Sequence, residues 1–193
     1  DIEDIMIITG NEHAGALINL LGSGVAYVCK FTYRIQDKSN GIAAALLMCK
    51  DFVGQEQFAV ILGDNIFDDK EEVANHLKSV DKNQHYALFV KKTEEARRFG
   101  VMVYDQAGNP VDVVEKPEVP PSDDAVLGLY VYQPYVFPML AILKPSKRGE
   151  YEISDLNKFV VQNMSGKVFR IEGEWIDSGT HESYAKALKM VLK

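Results

Sequence analysis

Phe58-Ala59-Val60-Ile61-Leu62-Gly63-Asp64-Asn65-Ile66-Phe67 is an apolar run that stops abruptly on Gly-Asp-Asn. A short apolar run closed by glycine reads as a strand buried on both faces, and the carboxyl ends of such strands are where open α/β sheets place their ligands. Asp64 is therefore the first candidate metal ligand. A competing reading makes it the cap of a helix begun near Asp68 or Asp69, a role Asp and Asn side chains often take.

Working outward, Ile5 to Thr9 reads as a strand, Ala14 to Leu21 as a helix, Val25 to Ile35 as a strand and Gly41 to Phe52 as a helix. A helix near Glu71 to Ser79 follows the central run. Strands alternating with helices predict βαβ units and a mainly parallel sheet. The next section differs: His85 to Lys91, Gly100 to Asp105 and Pro110 to Glu115 are strand-like, and Asp105-Gln106-Ala107-Gly108-Asn109 is a hairpin turn. Pro117 to Asp124 holds three prolines and three acids, a surface loop before a strand over Ala125 to Tyr132. Helices are expected over Pro134 to Leu143, from Ser154-Asp155 through Gln162, and over His181 to Leu192, with a strand over Lys167 to Ile171.

A chain of 193 residues that is 47% hydrophobic buries a sizeable core and reads as one domain. Its longest purely apolar stretch, Ile42 to Cys49, falls far short of the ~20 residues that cross a bilayer. With no signal-peptide pattern, the cytoplasm is the expected location and no membrane partner is expected. The two cysteines, Cys29 and Cys49, lack metal-ligand spacing and read as buried thiols. A net charge of −7, with no basic run longer than a pair, argues against a nucleic acid polymer but not against a nucleotide, which one metal ion and a few cations can hold.

Four further clusters have the composition of a phosphosugar and nucleotide site. Gln36 and Gly41 bracket a strand-to-helix loop where an amide could read a base, or where a polar loop merely precedes a helix. Glu115-Lys116-Pro117 ends a strand with a carboxylate beside an ammonium; both reach one ligand only if the strand breaks, and Pro117 supplies a break. Arg148-Gly149-Glu150, ahead of Glu152-Ile153-Ser154-Asp155, places a guanidinium suited to phosphate on a loop before a helix. Trp175, the only tryptophan, stands two residues before Asp177, so the two share a strand face; Ser178 or Thr180 would cap the last helix.

With these residues in hand, the chain resembles the sugar-1-phosphate nucleotidylyltransferases, most closely the glucose-1-phosphate thymidylyltransferases. The matching motifs are Val60 to Asn65, Phe99-Gly100-Val101, Val114 to Pro117, Gly128-Leu129-Tyr130, Lys144 to Glu150, Glu152 to Asp155 and Trp175 to Thr180, in family order. The resemblance implies a Rossmann-like three-layer α/β/α fold with a smaller antiparallel sugar-binding part. It implies one nucleotidyltransferase domain over 1–193, with 1–80 the nucleotide-binding part and 81–193 the sugar-phosphate-binding part. The implied reaction joins dTTP and glucose 1-phosphate into dTDP-glucose, releasing pyrophosphate, with Mg²⁺ on Asp64 and Asp177. Gln36, Gly41 and Asp64 would bind the nucleotide; Gly100, Glu115 and Val126 the glucose; Lys116 and Arg148 the sugar phosphate; and Trp175 would line the site. Asp64, Lys116, Arg148 and Asp177 would be the catalytic set.

Two departures stand out. The family's opening strand and Gly-rich loop with its Gly-x-Gly-(Thr/Ser)-Arg are not in these residues, so the chain reads as an N-terminally truncated short form lacking on the order of 30 or more residues, the scale of a βαβ unit. That would leave Ile5 to Ile8 and Val60 to Leu62 without a neighbouring strand, and an oligomer or a partner fragment is expected. Leu127 stands where thymidylyltransferases often carry threonine. Alternatives at this point are a UTP- or CTP-using relative, a non-catalytic sugar-phosphate-binding domain, and a metal-dependent glycosyltransferase.

Overall fold

A computed structural model describes residues 2–192. The first elements are β1 (Asp4–Gly10), α1 (Asn11–Leu21), β2 (Lys30–Gln36), α2 (Ile42–Leu47) and α3 (Lys50–Val53). Then come β3 (Phe58–Ile61), β4 (Asn65–Phe67), α4 (Lys70–Lys78), β5 (Tyr86–Lys92), β6 (Gly100–Tyr104), β7 (Pro110–Glu115) and β8 (Asp124–Tyr132). Last are α5 (Val136–Leu140), α6 (Ile153–Asn163), β9 (Gly166–Arg170), β10 (Trp175–Asp177) and α7 (His181–Val191). These elements form two compact units. One holds the residues through Gly54 together with Phe137–Ile153; the other holds Gln55–Val136 and the residues from Ser154 on. The division at residue 80 read from the sequence falls inside the second unit.

In the first unit β1 and β2 pair in parallel, from Asp4 opposite Lys30 to Gly10 opposite Gln36, and α1 provides the crossover that parallel strands require. The strand expected from Val25 begins only at Lys30. Gly22 and Gly24 take positive φ, Val25–Tyr27 forms a 3₁₀ turn and Val28 is itself left-handed, so no extended path exists there despite the β-branched residues. The helix expected from Gly41 to Phe52 is two short helices. Met48 and Cys49 close the first with bonds to Ala45 and Leu46. Cys29 and Cys49 are free thiols, each half-buried rather than buried, and burial pushes the Cys49 thiol up.

In the second unit β8 is the axis, with all nine of its residues buried. β5 lines one edge, antiparallel, with a register shift between Leu88 and Val90. The other edge is shared: β3 covers Leu129 to Tyr132 and β6 meets it at Ala125, both antiparallel. β7 extends the sheet beyond β6, and β9 lies parallel beside β5. The sheet is therefore mixed rather than mainly parallel. The section between β5 and β8 is linked by turns too short for parallel crossovers, and those strands can only reverse. Nor is β3 buried on both faces: Phe58 and Val60 are half-buried whereas Ala59 and Ile61 are exposed, Ile61 by 60%. An unbroken apolar run identifies the strand, not the number of faces that are covered.

Ala87, Phe89, Leu127, Leu129, Val131, Phe169 and Ile171 form one buried cluster, against which Val73 and Leu77 of α4 pack. Burial of such side chains contributes roughly 1.5–3 kcal/mol each. Glu72 of α4 accepts from the backbone N–H groups of Glu172 and Gly173, at 2.7 and 3.0 Å, fixing the segment between β9 and β10.

Two outcomes follow from this packing. A Cβ on Gly166 would lie 2.4 Å from the Tyr86 ring and 2.5 Å from its carbonyl oxygen. Gly166→Ala should therefore lower unfolding stability by about 1–3 kcal/mol in urea titrations. Burial raises the hydroxyl pKa of Tyr104, Tyr130 and Tyr132 above 10.0, so the folded protein keeps protons that the unfolded chain releases. Stability should thus be full below about pH 10 and fall as pH rises further, with a shallower fall in Tyr132→Phe, as urea midpoints at stepped alkaline pH would show.

Candidate active site

Asp64 follows the apolar run, and β4 begins immediately after it. β4 pairs with β10 antiparallel, with Asp177 opposite Asn65 and Trp175 opposite Phe67. The junction is tightened by Ser178, whose backbone N–H and Oγ both donate to the Asp64 carbonyl at 2.8 Å. A Cβ placed on Gly179 would lie 3.0 Å from Asp177 Oδ1 and 3.8 Å from Asp64 Oδ2, so both carboxylates border one small space. Asp64 is not a helix cap: Asp69 caps α4 by accepting from the Glu72 N–H. Thr180 caps α7 in a reciprocal box with Ser183.

Asn65 is 7% exposed, and sequence reasoning had given it no role. Its Oδ1 accepts from the Gly128 N–H at 2.9 Å and from the Trp175 indole N–H at 2.8 Å, while its Nδ2 donates to Asp64 Oδ1 at 2.8 Å. Trp175 is further held edge-to-face by Phe99, with ring centroids 5.1 Å apart. Trp175 and Asp177 line one cavity of about 270 Å³ together with Lys92, Arg98, Phe99 and Lys186.

Gly100 pairs with Glu115, whose Oε2 lies where a Cβ on Gly100 would come within 3.4 Å. The strand ends at Glu115, and the break comes at Lys116 itself, which takes a left-handed φ of 44° and donates its N–H to Phe99. Its ammonium lies 3.6 Å from Glu115. Burial raises the Tyr130 hydroxyl pKa, and the carboxylates of Glu115 and Asp64 raise it further, so both charges lie near that ring. Val126 is buried in β8, opposite Val90. Ser154, read from the sequence only as part of a helix start, has a buried Oγ without a hydrogen-bond partner among the described residues, and its Cβ is 3.9 Å from where a Gly100 Cβ would sit. An uncharged side chain on a helix gives no sequence signal of this kind.

Gln36, Gly41 and Arg148 belong to the first unit. Gly41 has φ 105°, and a Cβ there would stand 2.4 Å from the Tyr151 carbonyl oxygen, so this close approach requires glycine. Gln36 Nε2 donates to Asn40 Oδ1 at 2.8 Å and to the Gly41 carbonyl at 3.2 Å, which spends its donors within the loop and leaves Oε1 as the acceptor of the amide. Arg148 Nη2 donates to both oxygens of Glu152 at 2.9 Å, and Ser146 Oγ donates to the same carboxylate at 2.7 Å. The loop therefore presents a guanidinium already oriented.

Among the described residues no group of three or more His, Cys, Asp or Glu could hold a metal ion. The pair Asp64 and Asp177 nonetheless fits Mg²⁺, which usually binds through one or two carboxylates and completes its shell with water and phosphate oxygens. Among the described residues no helix is long and apolar enough to cross a membrane.

Comparison with known proteins identifies the family. The family model described as nucleotidyl transferase matches residues 1–193. The glucose-1-phosphate thymidylyltransferase of Neisseria meningitidis is 37% identical over 98% of the chain, which spans about two thirds (67%) of that relative's length. A crystal structure of a protein assigned as a glucose-1-phosphate thymidylyltransferase, from Bacillus anthracis and in complex with sucrose, superposes with a TM-score of 0.85 at 40% identity. The match covers 96% of this chain and 75% of that one. UDP-glucose pyrophosphorylase bound to UDP-glucose superposes at 0.80 with 26% identity, covering 98% and 81%. The α/β nucleotidyltransferase fold expected from the sequence is the fold observed, and the chain belongs to the nucleotidyl transferase family.

Proposed function

We propose that the protein transfers a thymidylyl group from dTTP to glucose 1-phosphate. A phosphate oxygen of glucose 1-phosphate attacks the α-phosphorus of dTTP, a new P–O bond forms, and the bond to the bridging oxygen breaks as pyrophosphate leaves with the electron pair. The observation that carries this reading is the convergence of Asp64 and Asp177 at the joined ends of β4 and β10. Mg²⁺ on these two carboxylates would neutralise charge on the reacting phosphates.

The remaining work is positioning and charge compensation. Lys116 and Arg148 would take the sugar phosphate. Glu115, with the backbone at Gly100 and Val126, would take the glucose hydroxyls, and Trp175 would wall the site. Gln36 Oε1 would accept from the N3–H of the base, with Gly41 allowing close approach. Thymine and uracil both offer that N–H, so a UTP-using enzyme is the second reading, favoured by the likeness to UDP-glucose pyrophosphorylase. The cytoplasm and a homo-oligomer remain the expected setting.

With the protein at its full natural length, Mg²⁺, dTTP and glucose 1-phosphate should yield pyrophosphate and dTDP-glucose. Asp177→Asn should cut kcat by at least about 100-fold, the scale of losing one pre-organised electrostatic contact. Absence of pyrophosphate release from the unaltered enzyme would sink the proposal. Measured side by side, kcat/KM should favour dTTP over UTP and CTP; a preference for UTP selects the second reading.

A further inference from the structure

We propose that Asn65 is the positioning residue for Asp64. The inference rests on the functional reading above, because it concerns the carboxylate assigned there to the metal. The amide has only one possible orientation. Gly128 N–H and Trp175 Nε1–H can only donate, so the oxygen of Asn65 must face them, and its nitrogen must face Asp64. The contact at 2.8 Å to Asp64 Oδ1 is thus a hydrogen bond given to a carboxylate, and it engages that oxygen while Oδ2 faces the space shared with Asp177.

The amide cannot drift. A Cβ on Gly128 would lie 2.7 Å from the Asn65 Cγ and Nδ2, so the side chain sits directly against backbone, and both acceptor bonds originate on different strands, β8 and β10. One side chain therefore ties the central strand, the tryptophan wall and the metal carboxylate into a single unit. Because Trp175 is the only tryptophan, its emission reports on the same hydrogen-bonded group.

Asn65→Asp keeps an oxygen for Gly128 and Trp175 but sets a carboxylate oxygen against Asp64. The exchange variant Asp64→Asn with Asn65→Asp rebuilds an amide–carboxylate pair in reverse. The urea midpoint, the Trp175 emission maximum, Mn²⁺ binding by calorimetry and pyrophosphate release would be measured for both variants and the unaltered protein. Asn65→Asp alone is expected to keep the emission maximum, lower the urea midpoint, change Mn²⁺ affinity by at least about fivefold and lower kcat about tenfold or more, with KM for glucose 1-phosphate within about twofold. The exchange variant should recover the midpoint while kcat stays low, since Asp64 is gone.

An unchanged midpoint and unchanged kcat in Asn65→Asp would overturn the proposal, as would an exchange variant no more stable than the single one. If the single variant does not fold and the exchange variant does, the pairing is established; if neither folds, the reversed pair does not replace the original one and the proposal falls. Should the unaltered enzyme release no pyrophosphate, the functional reading fails, while the midpoints and Mn²⁺ titrations still decide the role of Asn65.

Discussion

The backbone N–H of Gly128 lies in the most buried strand of the protein, at a place where the sheet leaves it without a strand partner. β6 meets β8 only at Ala125, and β3 begins to pair at Leu129. An unsatisfied buried N–H costs about 1–3 kcal/mol, and in this gap the Asn65 side chain supplies the missing acceptor. The carbonyl of Gly128 is met by the Leu62 N–H at 2.8 Å on the same side. The turn Leu62 to Asn65 thus docks onto the gap, and Asp64 is carried with it. Once that turn is fixed, β4 presents its free edge to β10, and Asp177 arrives beside Asp64.

The requirement for close approach explains why small residues gather here. Gly128 meets the Asn65 amide, Gly179 borders the two carboxylates, and Gly100 lies under Glu115. In the other unit Gly41 lies against Tyr151. Gly100, Gly128 and Gly179 let backbone come within reach of polar side chains, whereas Gly41 lets it come within reach of the Tyr151 backbone. Within each unit the cations assigned to phosphate are paired rather than bare: Lys116 lies by Glu115 in the second unit, and Arg148 is held by Glu152 in the first.

Much of this was legible from the residues, for identifiable reasons. Asp64 stood out because a glycine and a charge end an apolar strand, and Asp105 to Asn109 because hairpin turns have their own chemistry. Gly41 was legible as a loop glycine but not as one pressed against Tyr151, since that partner is 110 positions later. What Asn65 and Ser154 do was not legible, although both stand in quoted motifs, because neutral polar side chains look alike in a sequence whether they cap, solvate or fill a gap in a sheet. Strand direction was the main structural miss. Periodicity identifies a strand but is silent on which neighbour it pairs with, and the long return of β8 between β3, β5 and β6 made most of the ladders antiparallel. The apparent strand at Val25 failed because backbone handedness at Gly22, Gly24 and Val28 outweighs side-chain preference.

The shared space between Asp64 and Asp177 is tested most directly by crystals of the protein soaked with Mn²⁺ and dTDP-glucose, with anomalous difference maps recorded at the manganese edge. A peak within coordination distance of both carboxylates, with the sugar nucleotide's phosphate oxygens beside it, is the expected result. Manganese bound elsewhere, with neither aspartate among its ligands, would contradict the site.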